Sequence, residues 1–382
     1  MSTAGAVELR AIESLDEFER HAPAWDALVA SMPRPSPFML SAWLEPWWSH
    51  FGRDRSMRVE AAFLDGELVG GLPLELERRR GVIVGRFMGR EHAALGDVLA
   101  REDVADEVVA GIVGRLGVVG ADYLDLFGLA REGRLFGAIE ESEVLVERVQ
   151  APVLDVRGGW DAVYGAKTSS RRRNLHRRRR RQLHELGEIE LISIAGEREL
   201  AASLTDLFRL HDLRWAGRPD RSDFTTNRGL PFNVDAMSRF ARAGVARVLL
   251  MKLDGRAIAF QYYLVFERRM FFYRLAFDPD FARWSPGLLT TLAAIEVAAA
   301  EGVERVEFLG GDERYKQELA DSNDPLYECI GFASSWRGRA EAIVAGRVLD
   351  ARLRFKRSDL VRRIDNRTVA VRRVRRSTPD RP

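Results

Sequence analysis

The chain has 382 residues, 46% hydrophobic and 30% charged, the make-up of a globular protein with a full core. Its one cysteine, Cys329, excludes an internal disulfide framework and a cysteine-rich metal centre. No apolar run reaches the roughly 20 residues of a membrane span, and Met1–Arg10 lacks a signal peptide's basic and apolar regions. The expected location is the cytoplasm.

The formal net charge of +2 hides an uneven distribution. Arg171–Arg181 holds eight arginines in eleven positions, and Trp336–Pro382 holds fifteen Arg or Lys against five Asp or Glu. Together these stretches carry about +18, which leaves the remainder acidic, near −16. The expected outcome is that they fold back and neutralise the acidic remainder.

Taken in chain order, the elements occur twice. A helical pattern at Phe38–Phe51 precedes Leu64–Arg79, which reads LDGELVGGLPLELERR; helical patterns at Glu197–Trp215 and Pro231–Ala243 precede Leu253–Arg269, LDGRAIAFQYYLVFERR. In both, an apolar strand ends in Leu-Asp-Gly, a second strand follows, and a Glu-Arg turn leads to a third, Val82–Met88 or Met270–Phe277. Asp-Gly supplies the positive φ that a tight hairpin needs. A helix then follows at Glu102–Leu116 or Pro286–Ala300, and a short strand at Tyr123–Phe127 or Arg305–Leu309. This is an α/β (α+β) arrangement with a mixed, largely antiparallel sheet, used twice. The expected domains are 1–155, 156–336 and a basic helical tail, 337–382, with helix-compatible spacing at Val344, Val348, Ala351 and Phe355.

Three local patterns bear on chemistry. In the first, Ser285 suits an N-cap, Pro286 the first helical position and Gly302 the C-terminal stop. That helix follows a strand, so its first amides emerge at the sheet's end, and Gly287 allows close approach to the backbone; a capped helix start of this kind suits a pyrophosphate, or is simply a well-capped surface helix. The second runs from Gly310-Gly311 into Asp312, Tyr315 and Lys316, where Tyr315 can protonate a leaving thiolate and Lys316 can fix an anion. The third is His211, Arg214 and Trp215 at a helix end, with His211 and Trp215 sharing a face. No metal-ligand spacing and no Gly-x-Ser-x-Gly element occurs, so no metal is expected.

These patterns, Leu210-His211-x-x-Arg214-Trp215, the strand Phe272–Asp278, Ser285-Pro286-Gly287 and Asp312-x-x-Tyr315-Lys316, with Pro37-Phe38, Trp43 and Trp47-Trp48 in the first half, resemble one family. The chain resembles CelD/BcsL-type (cellulose-biosynthesis acetyltransferase-like) acyltransferases of the GNAT superfamily, related to the FemABX peptidyltransferases, over Glu8–Phe332. The resemblance implies tandem GNAT-like acyl-CoA N-acyltransferase domains, with acyl-CoA bound as co-substrate by the second and no permanently held cofactor. It implies cofactor contacts at Ser285, Pro286, Gly287, Leu288 and Leu289, and catalytic roles for His211, Asp312 and Tyr315. Substrate contacts are implied for Arg214, Trp215, Gln261, Tyr273 and Lys316. The expected acceptor is an amine or hydroxyl of a small molecule or polysaccharide precursor, in envelope or polysaccharide metabolism. The chain departs from the usual pyrophosphate motif, because Leu289 occupies its last small position. The corresponding start in the first half, Arg101-Glu102-Asp103, is acidic and would repel a pyrophosphate, so the first copy is expected to be degenerate.

Two alternatives stand beside this reading. One is a Fem-like transfer from aminoacyl-tRNA. The other is non-enzymatic binding of nucleic acid or an anionic membrane through the arginine-rich segments. On the main reading there is no specific nucleic-acid partner, and the basic tail makes at most a weak contact with an anionic surface.

Overall fold

The computed structural model describes residues 5–90, 95–216, 223–311 and 313–357. The first half runs β1 (Glu8–Ile12), α1 (Leu15–Ala30), α2 (Ser41–Phe51), β2 (Arg55–Leu64), β3 (Glu67–Arg79), β4 (Val82–Phe87), β5 (Leu99–Ala100), α3 (Ala105–Arg115), β6 (Tyr123–Ala130), α4 (Arg134–Ile139) and β7 (Leu145–Asp155). Two connecting helices, α5 (Trp160–Lys167) and α6 (Ser170–His184), follow. The second half repeats the pattern as β8 (Ile189–Ile194), α7 (Glu197–Trp215), α8 (Gly229–Arg242), β9 (Ala246–Leu253), β10 (Arg256–Phe266), β11 (Arg269–Phe277), α9 (Pro286–Ala300), β12 (Arg305–Glu307), α10 (Arg314–Leu319) and β13 (Ser322–Gly331). A last helix, α11 (Trp336–Arg357), closes the described chain.

The paired meanders are equivalent. Asp65 and Asp254 take φ of 51° and 48° at the tight turns, each followed by a left-handed glycine. The second turn of each meander is Arg80-Gly81 in the first half and Glu267-Arg268 in the second.

All strands join one sheet in the order β1-β2-β3-β4-β6-β13-β7-β12-β11-β10-β9-β8, with β5 beside β3. Read from either end, this order is the same sequence of equivalent strands. The halves exchange their last strands. β7 pairs with β12 of the second half, β13 pairs with β6 of the first, and the two meet antiparallel at Leu326↔Val149.

One apolar layer covers a face of both halves. In it Trp43 of α2 lies edge-on to Phe232 of α8 at 4.9 Å and to Tyr273 of β11 at 5.6 Å. On the opposite face α3 and α4 cover the first half, and α5 and α9 the second. Small residues of α9, including Gly287, Thr290, Thr291, Ala294 and Ala298, are buried and let that helix sit close to the strands.

Helix α11 forms as the spacing predicts; Leu349 is buried and Ala342 packs against the Val82, Val84 and Tyr123 cluster, while Val344, Val348 and Phe355 are largely exposed. One expectation from the sequence is corrected here. The arginines of α6 do not neutralise the acidic remainder: among the described residues only Arg172 and Arg181 of this stretch meet carboxylates, Glu318 and Glu185. The segment 368–382 lies outside the described residues.

A buried carboxylate ties the halves together. Glu307, at the end of β12, is fully buried and accepts from Arg34 Nη2 at 2.7 Å, Arg269 Nη1 at 2.9 Å and Arg305 Nε at 2.8 Å. Replacing it leaves Arg269 without a carboxylate among the described residues and Arg34 and Arg305 with only Glu132 and Asp324, the costly way to break a buried pair. Glu307→Ala is therefore expected to lower stability by about 3–5 kcal/mol in urea unfolding. A loss below about 1 kcal/mol would show that the arginines find other partners.

Candidate active site

The site forms where two parallel strands part. β11 and β12 pair only through Arg269↔Arg305, Met270↔Val306 and Phe271↔Glu307. Beyond Phe271, β11 continues alone on that side while its other edge stays bonded to β10 as far as Phe277↔Ala259. A row of backbone groups, Phe272–Phe277, therefore borders an open gap.

A bulge reshapes this edge. The register steps from Tyr263↔Phe272 to Tyr262↔Arg274, so Tyr273 is the extra residue of β11. Its ring packs against Phe38, Trp43 and Tyr262, and Arg274 lies 5.6 Å over Phe224 on the same side of the sheet. Gln261, 1% exposed, spans the bulge through Nε2 to the carbonyls of Tyr262 and Arg274, both at 3.2 Å. Its Oε1 accepts from Thr291 Oγ1 of α9 at 3.1 Å. The amide side chain is thus spent on fixing the bulge.

Arg214, from the last turn of α7, donates through Nη1 to the Leu275 carbonyl at 2.9 Å and sits 5.2 Å over the Phe277 ring. In an extended strand a residue's amide and carbonyl share an edge, so the Leu275 amide faces the gap too. Tyr315 reaches the same place from α10, within hydrogen-bonding reach of Thr291 and in the field of Arg214. Burial, then Glu313, pushes its phenol above the ordinary range, so it stays protonated. Lys316 is 7% exposed, with Nζ on the Gly310 carbonyl at 2.9 Å and on Glu313 Oε2 at 3.0 Å; it pins the loop entering α10. Asp312 lies outside the described residues.

The start of α9 differs from a side-chain-capped helix. Ser285 is left-handed, φ 55° and ψ 51°, and makes no side-chain cap bond, which corrects its expected role. A non-glycine residue in this region is uncommon. The conformation closes the preceding 3₁₀ turn through Ser285 N to Ala282 O, 3.0 Å. The first helical bond is then Leu289 N to Ser285 O, 3.1 Å, which leaves the Gly287 and Leu288 amides ahead of it at the helix's positive end. Pro286 holds the first helical position as expected, and Leu289 is buried beneath it. Gly287 lies against β11: a Cβ there would stand 2.8 Å from Phe277 Cδ1.

His211 occupies the α7–α8 side of β11, one turn before Arg214. It is 1% exposed, stacked on Trp215 at 6.0 Å and tilted against Phe224 at 4.9 Å, and among the described residues neither ring nitrogen has a hydrogen-bond partner. Burial lowers its pKa to about 4, and Arg274 adds to the effect. The ring is neutral at pH 7. The structure thus brings Arg214 and Tyr315 to the gap, while His211 and Trp215 stand beside Arg274 on the adjoining face. Thr291, Arg274 and the bulge at Tyr273 escape sequence reading; the Tyr262-Tyr263 pair opposite the bulge carries no pattern that announces it.

The equivalent gap in the first half is lined by ion pairs. Past Gly85↔Leu124, Arg86 and Arg90 bind Asp125, and Arg90 and Arg148 bind Glu328 of β13. The segment before α3 presents Glu102 and Asp103 where the second half has Pro286 and Gly287. Cys329, fully buried, has its thiol pushed up to about 12 by burial and is a core residue.

Residues 169–317 match the family described as the acetyltransferase (GNAT) domain. The crystal structure of FemX superposes with a TM-score of 0.59 at 11% identity, over 84% of this chain and 96% of that one. A conserved protein of unknown function from Bacteroides thetaiotaomicron VPI-5482 superposes with a TM-score of 0.55 at 11% identity, over 85% and 100%. No curated protein matches the sequence. The chain therefore has a GNAT-type acyltransferase fold, two GNAT-like units built on one mixed sheet.

His211 gives this site a pH signature. The unfolded chain takes up a proton on His211 near pH 6.5, the folded chain only near pH 4, so stability rises with pH across that window. Thermal unfolding between these limits is expected to show a shallower rise in His211→Gln. An unchanged slope would exclude His211 as its source.

Proposed function

We propose that the protein moves an acyl group from acyl-CoA to an amine or hydroxyl acceptor, with the coenzyme in the gap between β11 and β12. The observation that carries this reading is the unpaired edge Phe272–Phe277 ending at the uncapped start of α9. An extended thioester arm would lie along that edge, and its pyrophosphate would meet the Gly287 and Leu288 amides. The first half, with its gap lined by ion pairs, serves as a degenerate scaffold.

The chemistry follows from the groups at the gap. Amides of β11 polarise the thioester carbonyl in a site set before the substrate arrives. The acceptor attacks that carbon, and its proton passes to a base, for which neutral His211 or Asp312 is proposed. The intermediate then breaks its C–S bond, and the departing thiolate takes the proton of Tyr315. Arg214 positions β11 through Leu275. No covalent enzyme intermediate is required.

Tyr315→Phe keeps the ring and removes the proton. Its kcat is expected to fall by about 10²–10⁴-fold with little change in KM for acyl-CoA, followed by release of free CoA thiol. An unchanged kcat would take Tyr315 out of the reaction. Calorimetric titration of acetyl-CoA and longer acyl-CoAs tests the reading itself: binding of at least one supports it, and binding of none overturns it.

A further inference from the structure

The arginine-rich helix α6 stands next to the start of α9. Leu183, 1% exposed, packs in one cluster with Leu289, Met251 and Ile258, flanked by Phe277, Phe281 and Trp284. Farther back on the same stripe, His176 Nδ1 meets the Tyr164 hydroxyl at 2.7 Å, and Arg172 pairs with Glu318 of α10. These anchors fix the helix across the second half.

Arg179 lies on that stripe between His176 and Leu183. Positions 172, 176, 179 and 183 are four, seven and eleven residues along, which keeps them on one helix face. Arg179 is half-buried, Arg180 beside it is exposed, and neither has a hydrogen bond or ion pair among the described residues. Other arginines of the stretch do have partners: Arg173 donates to the Gly165 and Thr168 carbonyls, and Arg177 to Asn174. A half-buried guanidinium without an acceptor forgoes hydrogen bonds that an anion would supply.

We propose that Arg179 and Arg180 bind the 3′-phosphate of CoA. This rests on the reading above, which puts the pyrophosphate at the Gly287 and Leu288 amides. CoA carries one more anionic centre, a phosphomonoester separated from the pyrophosphate by a ribose. The cluster that Leu183 shares with Leu289 sets α6 beside the turn that leads into α9, so the arginines one turn before Leu183 would flank that ribose. Two guanidinium groups form charge-assisted, bidentate bonds with a phosphomonoester, and they discriminate against a coenzyme that lacks it.

Calorimetry with CoA and 3′-dephospho-CoA tests this on the full chain. The wild type is expected to bind CoA about tenfold or more tightly than 3′-dephospho-CoA. In the double variant Arg179→Ala, Arg180→Ala that preference disappears, with affinity for 3′-dephospho-CoA within about twofold of wild type, which also shows that the variant is folded. Equal affinities in the wild type would overturn the proposal and leave the coenzyme site standing, as would a preference that survives in the variant. A variant that loses tRNA retention and keeps the CoA preference would assign these arginines to nucleic acid, and so overturn it too. Failure of the wild type to bind either coenzyme would overturn the coenzyme site and this proposal together.

Discussion

Everything at the site depends on the point where β12 leaves β11. That strand is three residues long and ends on Glu307, whose buried carboxylate is held from both sides of the molecule by Arg34, Arg269 and Arg305. With Glu307 fixed, β12 is committed to β7 on its far side, and the chain beyond turns toward α10. β11 continues in register with β10, and its outer edge is left bare. Bare strand edges are a liability that proteins cover or exploit. Here the edge lies inside the fold, screened by Arg214, α9 and α10.

The exchange of β7 and β13 explains why the halves have remained one body. Each unit lacks a strand that the other supplies, so neither completes its sheet alone. The aromatic layer through Trp43, Phe232 and Tyr273 adds a second bond between them. Against this shared frame the two gaps differ in charge. In the first half arginines and carboxylates pair with one another; in the second, the start of α9 offers amides, and Arg179 and Arg180 of α6 have no acceptor among the described residues. On the proposed reading, the same architecture serves as a scaffold in one copy and as an anion-accepting cleft in the other.

Much of the fold was legible in the sequence because it is local. The Leu-Asp-Gly turns fix both meanders, and the helical pattern at Glu197–Trp215 coincides with α7. The strand exchange was not legible, since periodicity marks a strand without naming its partner. Nor was the bulge at Tyr273, which is set by how β10 and β11 pair. Ser285 shows the limit of a local rule: the residue type suits a cap, yet the preceding turn forces it left-handed and turns its hydroxyl away from that task. For the site, Arg214 and Tyr315 stood out as chemistry beside a strand end. Thr291 did not, nor did its tie to Gln261, a residue expected to touch substrate, because that bond links α9 to the bulge between distant segments.

Amide hydrogen exchange in the presence of acetyl-CoA tests the central claim most directly. If the coenzyme lies along the open edge of β11, protection rises at Phe272–Phe277 and at Gly287–Leu289, and stays unchanged at the equivalent strand Val82–Phe87. Protection confined to Val82–Phe87, or no change at either strand with acetyl-CoA in saturating excess, would contradict the account.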